Sequence, residues 1–229
     1  ILTYGLSSDS HVSAQNISHT GSASTFYVTK DEKFLGEIYI DVPGKHNVTN
    51  SLASVTLGLE LGIPFSVISR GIQSYSGVKR RFEIKGTCHD VMVVDDYAHH
   101  PTEVRATLDA ARDGWNRRII AVFQPHLFTR TRDFYQDFAD SFSKADILIV
   151  TEIFPSREEP IEGISGELVV HAAQENNHPQ PLYINEWEQL KKSLDKFIRP
   201  GDMVITIGAG NIWRFCQEYF EHLSAKSNL

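Results

Sequence analysis

The chain has 229 residues, 41% of them hydrophobic, a net charge of -7 at pH 7 and two cysteines. That length supports one large domain or one and a half smaller ones around a buried core, and the negative charge argues against broad nucleic-acid binding. Cys88 and Cys216 are too few for a disulfide scaffold, so a reducing cytoplasm is expected; no apolar run approaches the ~20 residues of a membrane-spanning helix, and the start at Ile1, with neither an initiator Met nor a signal-peptide pattern, reads as a cut inside a longer protein.

In chain order, residues 25–29 (TFYVT) and 35–40 (LGEIYI) read as strands of an antiparallel hairpin around the polar turn Lys30 to Lys33. Val48, Leu52, Val55 and Leu59 recur at helical spacing, predicting a helix from about Asn47 to Leu61 that stops at Gly62. Pro64 opens a second short helix through Val67, Ile68 and Ile72, which runs into the breaker cluster Ser74 to Gly77, and a domain boundary is expected near Gly77 and Val78. Beyond it, apolar runs at 91–94, 119–123, 147–150 and 203–207 each precede a helical stretch. This alternation predicts an α/β fold with a mostly parallel sheet covered on both faces. The short charged stretch 157–162 (REEPIE) reads as a solvated loop.

In such a sheet, ligands sit beyond the carboxyl ends of the strands, so the segments that follow the apolar runs are the candidate site. Asp95-Asp96-Tyr97-Ala98-His99-His100-Pro101-Thr102-Glu103 carries carboxylates, a phenol and imidazoles at a density that a simple turn does not need. Gln124-Pro125-His126-Leu127-Phe128-Thr129-Arg130-Thr131-Arg132 sets His126 and Arg130 at a helix start. Positive charge there opposes the helix dipole, which points to an anion at that place. Gly208-Ala209-Gly210-Asn211 permits close backbone approach, either to a ligand or to a packed neighbour. Earlier in the chain, Asn47 and Asn50 open a helix with both amides on one face: capping accounts for one, a nucleobase for the other. Lys79-Arg80-Arg81 sits just past the expected boundary, where a hinge could carry a cation toward phosphate. No Gly-x-x-x-x-Gly-Lys-Ser/Thr run occurs, so the backbone cradle for ATP phosphates is not in this chain.

Taken in order, HNVTN, RRFE, VDDYAHHPTE, QPHLFTRTR and GAGNI resemble the second half of a Mur ligase, over essentially the whole chain. DDYAHHPTE is common to the alanine-adding and the murein tripeptide-recycling branches, and the Gln-Pro-His start with the Thr-Arg-Thr-Arg finish points to the alanine-adding one. The family pattern commonly reads Gln-Pro-His-Arg-Tyr-Thr-Arg-Thr; Leu127 and Phe128 replace its Arg and Tyr here. The resemblance implies that residues 1–77 end a central ATP-binding domain and that 78–229 form a C-terminal Rossmann-like domain. It implies an ATP- and Mg2+-dependent ligase of peptidoglycan synthesis joining L-alanine to UDP-N-acetylmuramate through an acyl phosphate, its other partner being the N-terminal half of the same enzyme. By the same resemblance His46, Asn47 and Asn50 face adenine, and Arg81 and Asp96 meet the ATP phosphates and ribose. Tyr97, His99, His126 and Arg130 belong to the muramate and alanine side, with Arg81 and His99 as the catalytic candidates and no metal ligand assigned. Two other readings are a non-catalytic nucleotide-binding module and a dehydrogenase-like domain. The latter is disfavoured because the Gly-Ala-Gly follows the last strand and no acidic residue about 20 positions on can follow it.

Overall fold

The structure is a computed structural model that describes residues 1–226, and among them lie ten strands and seven helices. The chain divides into two compact units, one made of Ile1–Val78 with Asp109–Trp115 and the other of Lys79–Leu108 with the chain from Asn116 onward. No helix among the described residues is long and apolar enough to cross a membrane.

The first unit is a four-stranded sheet carrying two helices. Its strands are β1 (Tyr4–Gly5), β2 (Val12–Thr20), β3 (Ala23–Lys30) and β4 (Lys33–Ile40), in that spatial order. β3 and β4 are the expected hairpin. Lys30 pairs with Lys33, and Asp31 and Glu32 between them both take positive φ (48° and 62°), which matches the turn to the strands' right-handed twist. Helices α1 (Lys45–Glu60) and α2 (Phe65–Gln73) follow. Val48, Leu52 and Val55 of α1 pack on Phe26, Val28, Ile38 and Ile40, the inward-facing alternate residues of β3 and β4. β2 goes beyond the expected hairpin. Its sequence is largely polar, and a bulge between Gln15 and Ser18, with Asn16 at φ 51°, breaks the alternation that would mark it.

The second unit is a six-stranded α/β layer structure. It runs β5 (Glu83–Cys88), β6 (Val91–Asp96), α3 (Pro101–Gly114, whose residues from Asp109 on are counted with the first unit), β7 (Arg118–Phe123), α4 (Phe128–Ser141), β8 (Ile147–Val150), α5 (Glu167–Glu175), β9 (Pro181–Tyr183), α6 (Trp187–Phe197), β10 (Asp202–Ile207) and α7 (Ile212–Ala225). In space the order is β5-β6-β10-β7-β8-β9, parallel except for β5, which pairs antiparallel with β6. The four apolar runs are β6, β7, β8 and β10, and they are continuous because both faces are covered. On one face Leu190, Leu194, Phe215 and Tyr219 of α6 and α7 meet Val93, Ile120, Val122 and Val204. On the other, Phe138 of α4 and Phe142 at its C-cap lie tilted against Phe123 at ring-centroid distances of 4.9 and 5.1 Å. β10 inserts between β6 and β7, with the helices after β7 and β10 on opposite faces. The loops that follow β6, β7 and β10 therefore open around one crevice, the place where open sheets of this kind take ligands.

Candidate functional site

In the first unit, Gly44 at φ 95° turns the chain from β4 into α1, a conformation that L side chains rarely adopt. Asn47 then donates its amide to the Pro43 carbonyl at 2.8 Å, so its side chain holds the turn. Asn50 is exposed, and both asparagines line a groove of about 520 Å³ between α1 and α2, together with Val42, Ile68, Ile72 and Tyr75. Apolar walls with carboxamides at one end suit a flat heteroaromatic ring. His46 is exposed at the start of the same helix.

At the end of β6 the two adjacent aspartates serve the fold. Asp95 is fully buried; Thr206 donates to one oxygen at 2.9 Å and Arg80 Nε to the other at 3.1 Å, while Arg80 also donates to the Gly208 carbonyl at 2.7 Å. Asp96 is 5% exposed and accepts the backbone N–H groups of Phe82 and Ala98, each at 2.7 Å. Burial raises the pKa of both carboxyls above the ordinary aspartate value, against these hydrogen bonds. Asp96 thus sits beneath the crevice with both oxygens turned to the chain's own backbone, and it shapes the loop that carries the exposed groups.

Those groups form one continuous surface. The Arg80 and Arg81 guanidinium carbons lie 4.8 and 5.6 Å from the Tyr97 ring centroid, Tyr97 meets His99 edge-on at 5.2 Å, and His99 meets His126 at 6.0 Å. Arg130 Nη1 donates to the His99 carbonyl at 3.2 Å. Arg81, Tyr97, His99, His126 and Arg130, assigned from three separate stretches of sequence, are therefore neighbours, while His46, Asn47 and Asn50 belong to the other unit. Glu103 is the hub that sequence reasoning did not single out. It accepts the His99 N–H at 3.0 Å, lies 3.3 Å from His99 Nδ1 and 3.5 Å from Arg81 Nη1. Burial alone would raise its pKa, but the His99 N–H and the charges of His99 and Arg81 outweigh that and lower it. A Glu in the first turn of a helix complements the helix dipole, a signal that could have marked it.

His126 stacks on Phe154 (5.8 Å, 17°), and its Nδ1 is buried without a hydrogen-bond partner. Burial, then the positive charges of Arg130 and His99, lower its pKa below the ordinary imidazole value, so the neutral ring is favoured. The anion expected at the start of α4 is supplied by the chain itself: Glu158 accepts the Thr129 N–H at 3.0 Å and the Thr129 hydroxyl. The stretch 157–162 is a loop, but Glu158 within it is fastened rather than solvated. The Gly208–Asn211 turn packs tightly. A Cβ on Gly210 would lie 2.4 Å from Gln124 Oε1 and 2.6 Å from Phe154 Cγ, and Gln124 bridges to Asn211 Oδ1 (2.8 Å) and caps the Ile212 N–H (3.1 Å). The small residues there admit Gln124, a neighbour in the fold. Among the described residues no group of three or more His, Cys, Asp or Glu side chains is placed to hold a metal ion.

A mostly parallel sheet ending in this cluster defines an α/β domain, and its family is shown by comparison with known proteins. The family model described as "Mur ligase, glutamate ligase domain" matches residues 80–210, and the chain belongs to the Mur ligase family. It is 44% identical over 221 residues to a UDP-N-acetylmuramate–L-alanine ligase of Geotalea uraniireducens, covering 96% of this chain and 48% of that protein. It is 43% identical to the enzyme of that name from Salinibacter ruber, over 97% of this chain and 47% of the relative. The crystal structure of UDP-N-acetylmuramate-alanine ligase from Thermotoga maritima superposes with a TM-score of 0.82 at 26% identity, covering 98% of this chain and 48% of that one. The chain thus spans about half the length of the relatives it matches.

Proposed function

We propose that this chain supplies the adenine-side groove and the amine-side cluster of an ATP-dependent ligase that joins L-alanine to UDP-N-acetylmuramate in peptidoglycan synthesis, a cytoplasmic step. Residues 1–77 are then the end of a central ATP-binding domain, and 78–229 the C-terminal Rossmann-like domain. The observation that carries this reading is the contiguity of Arg81, Tyr97, His99, His126 and Arg130 in a chain so similar to enzymes of that name.

Bound ATP supplies the phosphoryl group that makes the muramate carboxylate a good acyl donor, and Mg2+ its charge neutralisation. The neutral amine nitrogen then bonds to the acyl carbon, the carbon–oxygen bond to phosphate breaks, and the proton shed by the nitrogen leaves with the departing phosphate. The chain's own residues act around that event. The groove that Asn47 and Asn50 line fits adenine in size and in its apolar walls. Arg81, half-exposed and tethered to Glu103, offers positive charge where phosphoryl oxygens accumulate negative charge. Arg130 presents a planar fork suited to the carboxylate of the amino-acid substrate. His99 and the neutral His126 line the same surface and exclude water from it. Without a phosphate loop, the chain by itself releases no phosphate from ATP.

The test is ADP release by the full-length enzyme with ATP, Mg2+ and UDP-N-acetylmuramate. Release that depends on L-alanine supports the reading. Release only with L-Ala-D-Glu-meso-diaminopimelate in its place assigns the chain to the tripeptide-recycling branch, and release with neither contradicts a ligase role.

A further inference from the structure

Helix α4 begins in an unusual way. Its N-cap residue is Leu127, at φ 74° and ψ 134°, and a leucine side chain cannot accept the orphan N–H groups of the first turn. The loop between β8 and α5 does so instead. Glu158 Oε2 accepts the Thr129 N–H at 3.0 Å, Oε1 pairs with the Thr129 hydroxyl, and the carboxylate also draws on the Phe128 N–H. The same loop holds the preceding residues. Phe154 N–H donates to the Pro125 carbonyl at 2.8 Å, Leu127 N–H donates to the Phe154 carbonyl at 3.0 Å, and the Phe154 ring stacks on His126. Segment 154–158 therefore grips segment 125–129 at two points, and His126 lies inside that span with Arg130 one residue beyond it. Since the helix terminus already holds a carboxylate, a substrate anion has no claim on its N–H groups, and the guanidinium of Arg130 is left to bind it.

We propose that Glu158 is a positioning residue: by capping the first turn of α4 it fixes the direction in which Arg130 and His126 face the carboxylate of the incoming amine. This rests on the ligase reading above for the identity of the ligand. The positioning itself rests only on the geometry within the second unit.

Two measurements test it. In the 229-residue chain, the titration of the His126 ring is followed by NMR in the wild type and in Glu158→Gln. The charged and titratable groups acting on that ring are Arg130 of α4, His99 of the loop after β6, and Glu158. Gln keeps an acceptor for the Thr129 N–H but removes the one negative charge of the three, so the His126 midpoint moves down; an unmoved midpoint overturns the contact. In the full-length enzyme, Glu158→Ala raises the KM for the amino acid roughly tenfold to a hundredfold with the KM for ATP unchanged, and Glu158→Gln restores most of the loss. A wild-type amino-acid KM in Glu158→Ala overturns the proposal, as does an equal rise in both KM values, which marks general damage. If the wild-type full-length enzyme turns over no amine, the ligase reading fails, and the NMR result alone decides whether Glu158 orders Arg130 and His126.

Discussion

Asp95 and Asp96, adjacent at the end of β6, are both buried and both hydrogen-bonded within the chain. Asp95 and Asp96 read as chemistry in the sequence because carboxylates at a strand end usually face a ligand. Here Asp95 ties Thr206 of β10 to Arg80, and Asp96 gathers the N–H groups of Phe82 and Ala98. Asp96→Ala strands those two donors and should cost about 1–3 kcal/mol, read as a lower urea midpoint with an unchanged slope. No change would mean that water replaces the carboxylate without penalty. His126 carries a pH signature with a definite sign. Its lowered pKa means that the unfolded chain binds the proton more readily, so its contribution to stability is present above the ordinary value of 6.5 and is lost as pH falls through the lowered one. Urea midpoints for His126→Gln should therefore fall less steeply than wild type between about pH 7 and pH 5. Parallel pH profiles would contradict that environment.

Among the elements, the legible ones were those under a single strong demand. β6, β7, β8 and β10 are buried on both faces and so are continuous apolar runs, and the α1 core positions recur at helical spacing. β5 sits at an edge with an exposed, mixed sequence and a register shift between Ile84 and Gly86, and β9 is three residues long; neither leaves a pattern to read. Candidate residues that share dense local motifs stand out in the sequence for the same reason. Glu158 was not, because its partner Thr129 is 29 residues away and its own neighbours are charged and exposed. The Gly208–Asn211 turn was ambiguous until the position of Gln124 was known. Gly210→Ala forces a methyl into the Gln124 amide and the Phe154 ring, and should destabilise the chain by about 1–3 kcal/mol in thermal unfolding. A neutral Gly210→Ala would show that Gln124 is free to move.

For the whole molecule, the groups assigned to nucleotide and to amine fall in different compact units: His46, Asn47 and Asn50 in the first, the Arg81 to Arg130 cluster in the second. The order of motifs along the chain separates the two sets in the same way but gives no sign that Asp109–Trp115 belongs to the first unit. On the proposed reading, this chain is the adenine-groove and amine-cluster half of an alanine-adding ligase. The most direct measurement is phosphate release after mixing it with a separately expressed N-terminal half of the same enzyme, in the presence of ATP, Mg2+, UDP-N-acetylmuramate and L-alanine. Neither half alone then releases phosphate, and the mixture releases it only with L-alanine, a release lost with Arg130→Ala in this chain. Equal release with and without this chain, in a mixture whose full-length counterpart is active, would contradict it.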